Sequence, residues 1–108
     1  MKIHFSTATL ALCALAASSS GHAQSASAQA LYTRSLAATC ANCHGTDGRA
    51  VQGSMVLPLA GMDKNYLAAQ MKAFKTGARP ATVMHQISKG YSDAQIDILA
   101  GYFAAQKK

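Results

Sequence analysis

From about residue 30 onward, apolar positions recur at helical intervals and no run alternates with the period of two that a half-buried strand requires. Leu67, Met71 and Phe74 stand at i, i+4 and i+7, giving one apolar stripe between a capping Asp63 and a terminating Gly77. The pattern predicts a helix that starts on Asp63 and runs through Thr76. Ile96, Leu99, Ala100 and Phe103 form a second stripe behind Ser92-Asp93-Ala94-Gln95, whose spacing is that of a capping box. A last helix is therefore expected to run to about Gln106, with Asp93 at its start and Lys107 and Lys108 at its end complementing its dipole. Residues 30–39 are good helix formers with Tyr32 and Leu36 one turn apart, and predict a first helix. The expectation is an all-α domain: three main helices with long loops.

Three segments lack this pattern. Between positions 45 and 61 stand Gly45, Gly48, Gly53, Pro58 and Gly61, which read as an irregular loop. So long a loop in so small a domain has a function of its own, and backbone without bulky side chains can approach a flat ligand closely. Gln24 to Gln29 is Ser/Ala/Gln without apolar periodicity, and reads as a flexible lead-in to a domain spanning 30–108. Ahead of it, residues 1–23 read as a secretion signal: a short basic start at Lys2 and His4, an apolar run from Phe5 to Ala17, and small residues in Gly21-His22-Ala23. Cleavage is expected after Ala23, with Ala26-Ser27-Ala28 as a second possible site. The apolar run falls short of the roughly 18 residues of a spanning helix. Leu10-Ala11-Leu12 before Cys13 departs from a lipoprotein pattern, so Cys13 is expected to leave with the signal. Export places the mature chain in the periplasm.

The 108 residues carry ten Lys and Arg against four Asp and no Glu, a formal charge of +6. The signal removes one of those positive charges and none of the acids. The balance favours an acidic protein partner or an anionic surface. There is no Arg cluster, no interleaving of aromatics and no motif that would point to nucleic acid. Lys64, Lys72 and Lys75 flank the apolar stripe of their helix and read as a solvated flank rather than a docking patch.

The chemistry concentrates in Cys40-Ala41-Asn42-Cys43-His44. C-x-x-C-H reads as covalent c-type haem attachment. Two thiols at this spacing can each add to one haem vinyl group, and the adjacent imidazole then lies under the iron. A haem would also fill much of the core that so short a chain cannot build from side chains. Three other readings compete. A thiol-disulfide oxidoreductase would use Cys40 and Cys43, yet lacks the βαβ context of that fold. A zinc site lacks a convincing second pair of ligands. A haem enzyme or gas sensor would leave the sixth iron position open.

Met55, Met62, Met71, Met84 and His85 are the candidates for that position. Met71 lies on the apolar stripe and is expected in the core. Met55 and Met62 belong to the glycine-rich loop, and Met62 precedes the Asp63 cap. Met84 and His85 follow Gly77-Ala78-Arg79-Pro80, where the chain must cross from the second helix to the last, a path suited to the open haem face. A thioether there would raise the reduction potential and close the iron.

Beyond the haem motif, five segments narrow the reading: Cys40 to Gly48, Pro58-Leu59-Ala60-Gly61, Met71 to Gly77, Thr82 to Ser92, and Ala100-Gly101-Tyr102-Phe103. Together they resemble a class I c-type cytochrome over nearly all of the mature chain. They are most similar to the haem subunit of flavocytochrome c sulfide dehydrogenase, with cytochrome c4 and c5-like proteins as relatives. The resemblance implies the single-domain class I cytochrome c fold around one covalent haem c. It implies Met84 as distal ligand opposite His44, and a carbonyl from Pro58 orienting His44. It also implies electron transfer from a flavoprotein partner, with no catalytic residue in this chain. Some haem subunits of this group hold two cytochrome domains; here one C-x-x-C-H and the length allow one, which leaves a freely diffusing carrier as the alternative.

Overall fold

The computed structural model describes residues 25–108, so the expected signal, residues 1–23, lies outside the described residues. The chain divides into two compact units, 1–32 and 33–108. Helix α1 covers residues 25–38. Its opening corrects the expected flexible lead-in: residues 25–29 are helical, because Ala and Gln favour a helix and none of these residues breaks one. No strand occurs among the described residues.

After a turn at Thr39 and Cys40 come α2, Ala41–His44, and a 3-10 turn, Thr46–Gly48. Gly45 separates them at φ 80°, and a Cβ there would lie 2.0 Å from the Arg49 carbonyl oxygen, so only glycine fits. Helix α3, Lys64–Thr76, starts as the sequence implies: the Asp63 carboxylate accepts the Tyr66 N–H, and Gly77 ends the helix in the left-handed conformation. Helix α5, Asp93–Ala104, opens on a complete capping box between Ser92 and Gln95. Between these, the crossing segment is wound into α4, Met84–Lys89, a short helix without a side-chain cap. A helix this short depends on packing rather than propensity, and α4 lies against α3.

The core sits where α5 meets α3 and the end of α1. Leu99, Ala100 and Phe103 cluster with Leu67 and Ala37, while Leu36, Cys40, Leu59, Met62, Tyr91 and Tyr102 pack around them. All four residues of the α5 stripe are buried. Of the α3 stripe only Leu67 is fully buried. Met71 instead lies beside α4, where the buried Ser88 hydroxyl donates to its sulfur at 3.4 Å. Phe74 carries the Arg79 guanidinium 4.7 Å above its ring. Lys72 and Lys75 reach across to Asp97 and Asp93 at 2.9 and 2.8 Å, so these lysines tie α3 to α5.

A second tie holds the 3-10 turn to α5. The Tyr102 hydroxyl donates to Asp47 at 2.5 Å, and Arg49 pairs with the other carboxylate oxygen at 3.3 Å. These bonds hold Asp47 at φ 55°, in the left-handed region that aspartate tolerates better than most residues. The Asp47 bond, then burial, raises the Tyr102 pKa. The neutral phenol is thus favoured by folding, so its contribution is complete below the ordinary tyrosine value and is lost as pH rises through the raised one. Tyr102→Phe should cost about 1 kcal/mol at neutral pH, because the bond is partly solvated. It should also flatten the stability loss above about pH 10; denaturant titrations at several pH values measure both effects.

Candidate functional site

The pentapeptide Cys40 to His44 forms a single helical turn. Cys40 caps α2, and its carbonyl accepts the His44 N–H at 2.9 Å. Cys40 and Cys43 stand at i and i+3, so the two thiols share one side of the turn. Both are free thiols. Burial, the larger influence, pushes the Cys40 thiol pKa up; the Thr39 hydroxyl opposes this and the neighbouring Cys43 adds to it. A redox-active C-x-x-C needs the opposite, a thiol activated by a lowered pKa. The Thr39 hydroxyl also lies 2.6 Å from the Tyr91 hydroxyl, which fastens this turn to the segment ahead of α5.

His44 is oriented by one bond: its Nδ1 lies 2.6 Å from the carbonyl oxygen of Leu57. A carbonyl can only accept, so Nδ1 carries the proton and Nε2 keeps the lone pair that a metal requires. This corrects the expectation for Pro58: the carbonyl that meets His44 is that of Leu57. Proline restricts the preceding residue to extended conformations, so Pro58 stiffens the residue that presents the acceptor. The sequence marks the proline, and the side chain at 57 bears no sign of the role because the backbone performs it.

The loop that delivers Leu57 is closed at its base, where the Gly48 carbonyl accepts from Leu59 and Ala60 at 2.8 and 3.1 Å. A Cβ on Gly48 would lie 2.8 Å from Phe103 and 2.9 Å from Leu59, so this closure needs glycine. Val56 and Leu57 are 37% and 55% exposed on the loop, and Val83 and Ile87 are 54% and 42% exposed around α4. Apolar side chains left uncovered on the segments that carry the His44 acceptor and Met84 suit a flat apolar cofactor. Two free thiols and an imidazole with one free nitrogen complete the donor set, so the residues present fit a covalently bound haem.

The candidate sixth ligands are spread across the fold. Met55 is fully exposed on the loop, Met62 packs against the core, and Met71 receives the Ser88 hydroxyl. Met84 and His85 occupy the first turn of α4, and both are partly buried. His85 Nδ1 is buried without a hydrogen-bond partner. Met84 shares its face with Ile87 and Ser88 at i+3 and i+4.

A helical fold with a C-x-x-C-H turn and a single oriented imidazole defines a c-type cytochrome. The chain belongs to the cytochrome c family, whose model matches residues 25–106. It is 37% identical over 73 residues to the cytochrome subunit of sulfide dehydrogenase from Chlorobaculum tepidum, covering 68% of this chain and 64% of that protein. A thiosulfate dehydrogenase electron acceptor from Stutzerimonas stutzeri is 34% identical over 77% of this chain and 40% of its own length. A solved cytochrome c4 from Acidithiobacillus ferrooxidans superposes with a TM-score of 0.57 at 35% identity, covering 61% of this chain and 37% of that one. The chain thus spans less than two thirds of these relatives. Membership of this family gives the chain one covalent haem c, and its relatives include electron-transfer subunits and acceptors. Among the described residues, no helix is long and apolar enough to cross a membrane.

Proposed function

We propose that this chain is an exported, periplasmic monohaem cytochrome that accepts single electrons from a flavoprotein of the sulfide dehydrogenase type. Cys40 and Cys43 would hold the haem through thioethers, and His44 and Met84 would supply its iron ligands. The observation that carries this reading is the His44–Leu57 bond of 2.6 Å, which leaves one ring nitrogen for a metal. The bound haem supplies a one-electron couple; the polypeptide orients it, excludes water and sets its potential. The Nδ1–H bond to Leu57 holds the imidazole plane and raises the basicity of Nε2. The Met84 thioether, as an iron ligand, would raise the potential and exclude exogenous ligands.

The likeness to the sulfide dehydrogenase cytochrome subunit supports the choice of donor. Thiosulfate dehydrogenase acceptors and cytochromes c4 among the relatives favour a second reading, a free carrier between respiratory complexes. Stopped-flow reduction of the haem-loaded protein separates the two. Sulfide with a sulfide-dehydrogenase flavoprotein should reduce one haem per chain. Reduction by a thiosulfate dehydrogenase with thiosulfate, and none by the flavoprotein, would replace the first reading by the second.

A further inference from the structure

All four acidic side chains of the chain are engaged inside the fold. Asp47 binds Tyr102 and Arg49, Asp63 caps α3, and Asp93 and Asp97 pair with Lys75 and Lys72. Lys72 and Lys75 are therefore neutralised by two aspartates, and the surplus positive charge lies elsewhere.

Much of it gathers at the carboxyl end of α5. The Lys108 stem lies over Gly61, its Cγ 2.8 Å from where a Cβ would stand. Lys64 Cε lies 3.8 Å from the corresponding position on Gly101. Arg49 Nε donates to the Lys107 carbonyl at 2.9 Å. Arg34 faces the same end, where it lines a hollow of about 420 Å³ with Asp47, Tyr102 and Gln106. The helix dipole explains cations at Lys107 and Lys108, but Arg34, Arg49 and Lys64 come from other segments. Five cations thus meet two carboxylates, Asp47 and Asp63, and both carboxylates are already engaged.

An apolar turn adjoins this charge. Two residues beyond Arg49, the Val51 carbonyl accepts the Ser54 N–H at 3.0 Å, and the turn leaves Val51 74% and Met55 102% exposed. Exposed apolar side chains beside a charged rim have the make-up of a transient protein interface. This turn belongs to the loop whose Leu57 carbonyl holds His44.

We infer that the Val51–Met55 turn and the basic end of α5 form the docking surface for an acidic redox protein, and that Lys72 and Lys75, paired with acids of α5, do not take part. The inference rests on the electron-transfer reading above. The partner it fits presents carboxylates around an apolar centre. The positive end steers the encounter, and the exposed turn gives the short-lived complex its contact.

The test is an NMR titration of the haem-loaded, isotope-labelled protein with a ten-residue peptide of glutamates around one central phenylalanine, at low salt. Amide shifts should concentrate at residues 49–55, 61–64 and 101–108. Lys107→Glu or Met55→Asp should weaken binding about fivefold, while Lys89→Glu, an equal charge change on α4, should leave it nearly unchanged. Shifts centred on Lys72, Lys75 and Lys89, no binding, or equal weakening by Lys89→Glu would overturn the inference. Preferential binding to phosphatidylglycerol vesicles through the same residues would replace the protein partner by a membrane surface. The haem spectrum of the same samples keeps the two readings apart, since an intact six-coordinate spectrum preserves the electron carrier even if the docking surface fails.

Discussion

A chain carrying Cys40→Ala and Cys43→Ala together should yield no covalent haem and little folded protein. Among the described residues, the buried apolar side chains are Leu67, Ile96, Leu99, Phe103 and three alanines. That is a small core for an all-α domain, in a size range where chains depend on a cofactor, metal or disulfide for independent stability. Val56 and Leu57 on the loop, with Val83 and Ile87 around α4, lose their cover with the haem. Haem staining of the denatured protein should fall to background, and the far-ultraviolet helical signal should collapse or melt far below that of the unaltered chain. Full helicity and a sharp melting transition without haem would show that the side chains hold the fold unaided.

Met84→Ala should retain covalent haem, because both thioethers and His44 are untouched, while the site becomes chemically different. Loss of the thioether removes the ligand that favours the reduced iron, so the potential should fall by on the order of 0.1 V, within the roughly 0.8 V that axial ligation spans. The sixth position should open to carbon monoxide or imidazole. The polypeptide should remain folded, because Met84 lies outside the buried cluster around Leu99 and Phe103. Redox titration and ligand binding measure the two effects. An unchanged potential with a still-closed iron would assign the ligand to another residue, and His85, with its unpartnered Nδ1 in the same turn, would be the first to substitute.

What the sequence made legible follows from whether the signal was local. The Asp63 cap, the Gly77 stop, the Ser92–Gln95 box and the α5 stripe depend on neighbours within one or two turns, and each stands in the structure where its residues place it. The C-x-x-C-H turn is local in the same sense. The parts missed depend on distant contacts. Helix α4 exists because α3 lies against it, and nothing in Met84 to Lys89 marks its start with a cap. The Tyr102–Asp47 bond joins residues 55 positions apart. The His44 acceptor is a main-chain carbonyl, so the identity of Leu57 carries no trace of it. Lys72 and Lys75, read as a solvated flank, are bound to acids on a helix that only folding brings beside them.

A closed, six-coordinate haem held by this fold can be read from a reduced-minus-oxidised spectrum of the purified protein with and without carbon monoxide. The protein should show the bands of one covalent c-type haem per chain, with a reduced spectrum that carbon monoxide leaves unchanged. Rapid carbon monoxide binding would contradict the closed electron carrier, and the absence of haem bands would contradict the cofactor itself.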